Sequence, residues 1–248
     1  MSPEPLPEPT PEVVAADPIS WGYQDLLVFT FLSLLSILFS QLLMHLLASA
    51  LHLDPKSGAV LIPSQLLLYA CLFTILFALI KLQYGREFWH SLRWRNSQIA
   101  PGAAFLLGFA SSYAIQLVGL LLHTPNAETP IKKLLSSRAG VLEFGILAVT
   151  LGPLCEELVF RGFIQPVLVR SVGPTLGILV TASLFGALHL AQNSFIWQMG
   201  LLITLAGLAF GWMCQLTGST KASTWMHAGF NSTVFVYLLQ NPKLPHAQ

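Results

Sequence analysis

The chain has 248 residues, of which 54% are hydrophobic and only 9% charged, against about 25% charged in an ordinary soluble domain. That balance excludes a soluble globular domain. The apolar residues run in continuous blocks rather than alternating with polar ones, which excludes a transmembrane β-barrel. A net charge of +1 gives no electrostatic footing for nucleic acid as a partner. The expected fold class is all-α, a polytopic transmembrane helix bundle of seven to eight spans in a lipid bilayer.

Met1 to Pro18 is rich in proline and acid (Glu4, Glu8, Glu12, Asp17) and lacks the basic start of a signal peptide. Residues 1–20 are expected to form a disordered tail. A helix needs about 20 apolar residues to cross the hydrocarbon core. By that measure Asp25 to Leu51, Val60 to Leu82 and Pro101 to Leu122 are the first three spans. Val141 to about Val169 is the fourth, broken by Pro153 and Pro166. Thr175 to Leu190, Phe195 to Leu216 and Thr224 to Leu239 follow, the first and last of these short enough to suit burial among other helices. Residues 21–140 therefore read as N-terminal transmembrane helices, 141–241 as a polar-motif-bearing core and 242–248 as a C-terminal tail. Cys71, Cys155 and Cys214 lie in apolar stretches and read as packing residues.

Lys81, Arg86, Arg93 and Arg95 cluster between the second and third spans. The positive-inside rule puts that loop and the N-terminus in the cytoplasm, although Lys132, Lys133 and Arg138 then fall on the outer side. With a tail of bacterial style, the expected location is the bacterial cytoplasmic membrane. Tyr84 to Arg95, with Trp89 and Trp94 among basic residues, reads as an interfacial segment or an ordinary juxtamembrane loop.

The informative residues are the polar ones at membrane depth. Such groups cost on the order of 3 kcal/mol each on insertion scales and persist where partners or a polar cavity receive them. Glu157 and Arg161 are four apart, share a helix face and read as an ion pair. Glu156 points about 100° away and lacks that partner, which suits it to take and release a proton. Glu156 lies 16 residues before Val172, and His189 lies 16 after Gly173. Two antiparallel helices joined at the Ser171 to Pro174 turn would bring them to one depth. Phe185 lies one helical turn before His189, on the same face. His227 and Asn231 share a face of the last span, with Gly229 between them to admit a neighbour or substrate. They suit either hydrogen bonds to an oxyanion or polar contacts between helices. A thiol mechanism at Cys155 is disfavoured, because its neighbour is a carboxylate.

In order, Glu156-Glu157-x-x-x-Arg161, Phe185-x-x-x-His189 and His227-x-x-x-Asn231 resemble the motifs EExxxR, FxxxH and HxxxN of the CPBP family. That family comprises CAAX proteases and bacteriocin-processing enzymes, with the Rce1-type prenyl-protein endopeptidases among its relatives. The resemblance covers roughly Val141 to Leu239. It implies an intramembrane endopeptidase in which Glu156 and His189 activate water, while His227 and Asn231 stabilise the tetrahedral intermediate. Glu157, Arg161 and Phe185 would be supporting residues. The implied partner is a peptide or membrane-protein substrate: a prenylated CaaX-type peptide, a bacteriocin leader or another membrane protein. Glu156, His189 and His227 would also make a three-ligand zinc site, so the metalloprotease reading stands beside one that requires no cofactor. The HExxH spacing of zincins is absent, and water activation without obligatory metal is the preferred expectation. The alternatives are a non-catalytic membrane scaffold or immunity protein and a proton-coupled transporter. The transporter would require an inverted repeat, and none is visible.

Overall fold

The computed structural model describes residues 19–55, 57–125 and 134–241. The expected tail at 1–18, the basic pair Lys132 and Lys133, and the C-terminal tail at 242–248 lie outside the described residues. Among the described residues every regular element is helical.

Helices α1 (Tyr23–Ala50) and α2 (Gly58–Phe77) form an antiparallel hairpin, and α2 runs on through a π-helical turn at Ala78–Gln83. A one-turn helix α3 (Phe88–Ser91) precedes α4 (Pro101–Leu121), which starts on a proline pre-set for a first turn. The fourth expected span is a composite of α5 (Arg138–Val149), α6 (Leu151–Glu157), a π-helical segment at Leu158–Ile164 and α7 (Gln165–Val172). Its first break falls at Thr150, three residues ahead of the expected Pro153. A proline is tolerated in the first turn of a helix, so the chain breaks upstream and Pro153 sits inside α6. Pro166 likewise sits at the start of α7, behind the π-helical segment. Gly173, with φ of 84°, makes the turn into α8 (Pro174–Leu188), a backbone conformation that favours glycine. Helix α9 (Trp197–Thr217) leads to α10 (Thr220–Asn231) and α11 (Thr233–Gln240).

Five of these helices, counting the composite as one, are long and apolar enough to cross a membrane, and α8 is a shorter apolar helix. The expected span Thr224 to Leu239 is instead two helices meeting at Ser232. Alone, α10 is roughly 18 Å long, too short to cross. Helix α1 turns Leu27, Phe31, Leu34, Leu38 and Leu42 outward, an apolar surface that water would not tolerate and lipid solvates.

Helix contacts are made by small residues, as expected where lipid supplies no hydrophobic drive between helices. The backbones of α4 and α10 touch. A Cβ on Gly108 would lie 1.7 Å from the Met226 carbonyl oxygen, and one on Gly229 would lie 1.9 Å from that of Phe105. The neighbour that Gly229 admits is thus α4. Around α3, Phe88 and Leu92 are buried in the same core cluster as Phe163 and Leu158. The Leu92 and Arg93 carbonyls accept the Thr220 hydroxyl and backbone N–H at the start of α10. This tucked loop anchors α10 from one end of the bundle.

Candidate active site

Four helices bring their polar residues to one point. Glu157 and Arg161 are both fully buried, and the Arg161 guanidinium donates to Glu157 Oε1 at 2.9 Å. Its second amino group donates to the Gly207 carbonyl on α9 at 2.8 Å. One turn on, Gln165 donates to the Gly211 carbonyl at 3.1 Å. A Cβ on Gly207 would come within 3.3 Å of the Arg161 guanidinium, so glycine there leaves the guanidinium room to reach the backbone. Arg161 is also covered by aromatic faces, 4.8 Å from the Phe185 ring and 5.5 Å from that of Phe210, each a favourable cation–π contact. With the Phe160 ring 5.8 Å away as well, the charge is held by one carboxylate, one carbonyl and three rings.

Glu157 Oε1 also receives His227, whose Nδ1 lies 3.0 Å away. Against a carboxylate, Nδ1 must carry the proton, which leaves Nε2 facing Glu156 Oε2 at 3.8 Å. The His227 ring stacks on Phe210 with centroids 4.4 Å apart and meets Phe185 edge-on. Two aromatic rings and a buried carboxylate thus fix its plane.

His189 closes the end of α8. Its Nδ1 lies 2.7 Å from the Phe185 carbonyl, an acceptor, so Nδ1 carries a proton, and in the neutral ring the lone pair sits on Nε2. Nε2 faces Glu156 Oε2 at 4.0 Å. The Phe185 ring lies 4.5 Å from the imidazole, as the one-turn spacing requires. The equal offsets of Glu156 and His189 from the Gly173 turn do bring them together.

The two adjacent glutamates occupy unlike surroundings. The Glu157 side chain is fully buried, whereas about a fifth of the side-chain surface of Glu156 and of His189 is exposed. Glu156 Oε1 accepts a hydrogen bond from the Tyr69 hydroxyl on α2 at 2.9 Å. The sequence reading missed Tyr69 and Phe210. Phe210 stands among apolar residues, and a tyrosine in a span reads first as packing; the one signal for Tyr69 is Gln65, four residues before it on the same helix face. Asn231 is placed differently from the other motif residues. Its side-chain amide donates to the Ala148 carbonyl at 2.8 Å, a group beside the Thr150 break. In this arrangement it ties α10 to the interrupted composite helix. Cys155 lines an apolar crevice with Leu72, Phe73 and Leu76, in keeping with packing.

The resemblance implies a zinc site at Glu156, His189 and His227. Among the described residues no three His, Cys, Asp or Glu side chains are spaced to hold a metal ion. The separations of 3.8 and 4.0 Å between Glu156 Oε2 and the two Nε2 atoms exceed the roughly 3.3 Å between neighbouring ligands of a tetrahedral zinc. These side chains as placed do not fit the ion.

The arrangement can do acid–base chemistry. It holds a partly exposed carboxylate, an imidazole whose Nε2 faces that carboxylate, and a second imidazole oriented from behind by a buried carboxylate. Residues 138–233 match the family described as Type II CAAX prenyl endopeptidase Rce1-like. No curated protein and no solved structure matches the chain.

Proposed function

We propose, on the match of residues 138–233 to the Rce1-like family model, that the chain is an intramembrane endopeptidase hydrolysing a peptide bond of a CaaX-type, prenylated substrate at Glu156. The observation that carries the mechanism is the meeting of His189 from α8 and His227 from α10 on one oxygen of Glu156. A gap of 4.0 Å between Glu156 Oε2 and His189 Nε2 is too long for a direct hydrogen bond and is one that a single water bridges.

Glu156 takes one proton from that water while His189 Nε2 accepts a hydrogen bond from the other. The electron pair of the broken O–H bond stays on the water oxygen, which attacks the scissile carbonyl. The carbonyl oxygen becomes an oxyanion. His227, with Nδ1–H held by Glu157, donates from Nε2 when the ring carries both protons. The second amide hydrogen of Asn231 is a further candidate donor. As the C–N bond breaks, Glu156 returns its proton to the leaving amine. General acid–base catalysis of this kind contributes roughly 10²- to 10⁴-fold, and one oxyanion donor about 10²- to 10³-fold. Glu157, Arg161 and Phe185 hold His227 and the helix in place.

The test is cleavage by protein reconstituted in liposomes, using peptides ending in Cys-a-a-X with and without a prenyl group on the cysteine, with metal content assayed on the same sample. Loss of the three terminal residues from the prenylated peptide is expected. Glu156→Gln and His189→Ala should each lower the rate by at least about 10²-fold with unchanged yield of folded protein. Full activity in Glu156→Gln would remove the assignment. Cleavage lost on chelation and restored by zinc would replace direct water activation with a metal mechanism.

A further inference from the structure

Outside the matched segment, one polar side chain reaches the centre of the site. We propose that Tyr69 is a positioning residue for the reaction, holding the Glu156 carboxylate so that Oε2 faces the two histidines. The inference rests on the hydrolytic reading of Glu156 given above.

Tyr69 stands on α2, which packs against α5 and α6. It is buried to 9% exposure, and its hydroxyl donates to Glu156 Oε1 at 2.9 Å. A glutamate side chain turns about three bonds, and one that is partly exposed samples several rotamers unless something fixes it. The phenol supplies a charge-assisted hydrogen bond, shorter and stronger than a neutral one. It also divides the work between the two carboxylate oxygens. Oε1 is engaged by Tyr69, while Oε2 faces His189 and His227. The proton taken from water therefore goes to Oε2, beside the imidazole that accepts the other hydrogen of the same water.

The surroundings are built to admit this contact. Gly152 lies one turn before Glu156 on α6, and a Cβ there would already stand 3.4 Å from the Tyr69 hydroxyl oxygen and 3.1 Å from the Leu147 carbonyl. A tyrosine buried in a helix bundle needs some acceptor for its hydroxyl. Here the acceptor is a carboxylate proposed to be reactive, on another element and 87 residues away in sequence.

Tyr69→Phe removes the hydroxyl and keeps the ring. With the prenylated peptide, kcat is expected to fall roughly 10- to 100-fold with KM unchanged, because the binding surface is intact and only the reacting carboxylate is released. Infrared spectroscopy supplies a readout independent of turnover. The carboxyl band that disappears in Glu156→Gln should shift in Tyr69→Phe. A thermal midpoint close to that of the parent confirms that the bundle is preserved. An unchanged kcat in Tyr69→Phe while Glu156→Gln is inactive would overturn the role of Tyr69 alone. So would an unmoved Glu156 band. Full activity in Glu156→Gln would instead overturn the hydrolytic reading, and the role of Tyr69 with it.

Discussion

Glu156 and Glu157 are neighbours in sequence and have opposite surroundings, because one step along a helix turns the side chain by about 100°. Glu157 points into a dry centre filled by Arg161 and His227, and Glu156 points towards the partly open side with Tyr69 and His189. A buried ion pair is strongly destabilised when one partner alone is removed, by about 3–5 kcal/mol, because the other charge is left uncompensated. Arg161→Met should therefore lower stability by about that amount, and Arg161→Met with Glu157→Gln by less. Thermal unfolding of the four species in detergent measures the coupling, and additive effects would show that the pair does not act as a unit. At this scale much of the site was legible. The four-residue spacing gave the Glu157–Arg161 pair, and symmetric counting from the Gly173 turn gave Glu156 opposite His189. The partner of Asn231 was not legible, because it is a backbone carbonyl beside a helix break rather than another side chain.

Among the elements, the close seam between α4 and α10 positions His227 and Asn231. Gly229→Val should prevent these backbones from meeting, since even the Cβ would overlap the Phe105 carbonyl. Loss of folded protein is the expected outcome, seen as a collapsed yield of monodisperse material. Gly102→Ala, on the same helix α4 but with nothing within 4 Å of the added atom, should fold as the parent does. Equal yields for the two variants would contradict the seam. The helix blocks themselves could be read from their apolar lengths, but their interruptions could not be placed. Proline pointed to breaks at 153 and 166, whereas the chain breaks at Thr150 and widens into a π-helix over Leu158–Ile164. A π-helical turn has no residue signature of its own, and it often accompanies functional sites.

At the scale of the molecule, one end of the bundle collects Arg86, Arg95, Arg170 and Lys221. Arg86 reaches Ser20, Arg170 donates to the Ile19 and Trp21 carbonyls, Arg95 to that of Gly218, and Lys221 to Asn96. The start of the described chain is thereby fastened to the loops at that end. The Trp21 indole donates to the Phe163 carbonyl in the π-helical segment at 2.9 Å, so the same fastening supports the helix that bears Glu156 and Arg161. We propose that this end is cytoplasmic, by the positive-inside rule. A cysteine at Lys221 should then react with a membrane-impermeant reagent only from the cytoplasmic side, and one at Leu53 only from the other. The reverse pattern would invert the topology. In the proposed reaction a water between Glu156 and His189 is the nucleophile. That role is tested most directly by a single turnover in ¹⁸O-labelled water with enzyme in excess over peptide. Direct attack predicts ¹⁸O in the new carboxylate of the first product formed. A first product carrying only ¹⁶O there would mean that a protein carboxylate attacked the peptide first, and would contradict the account.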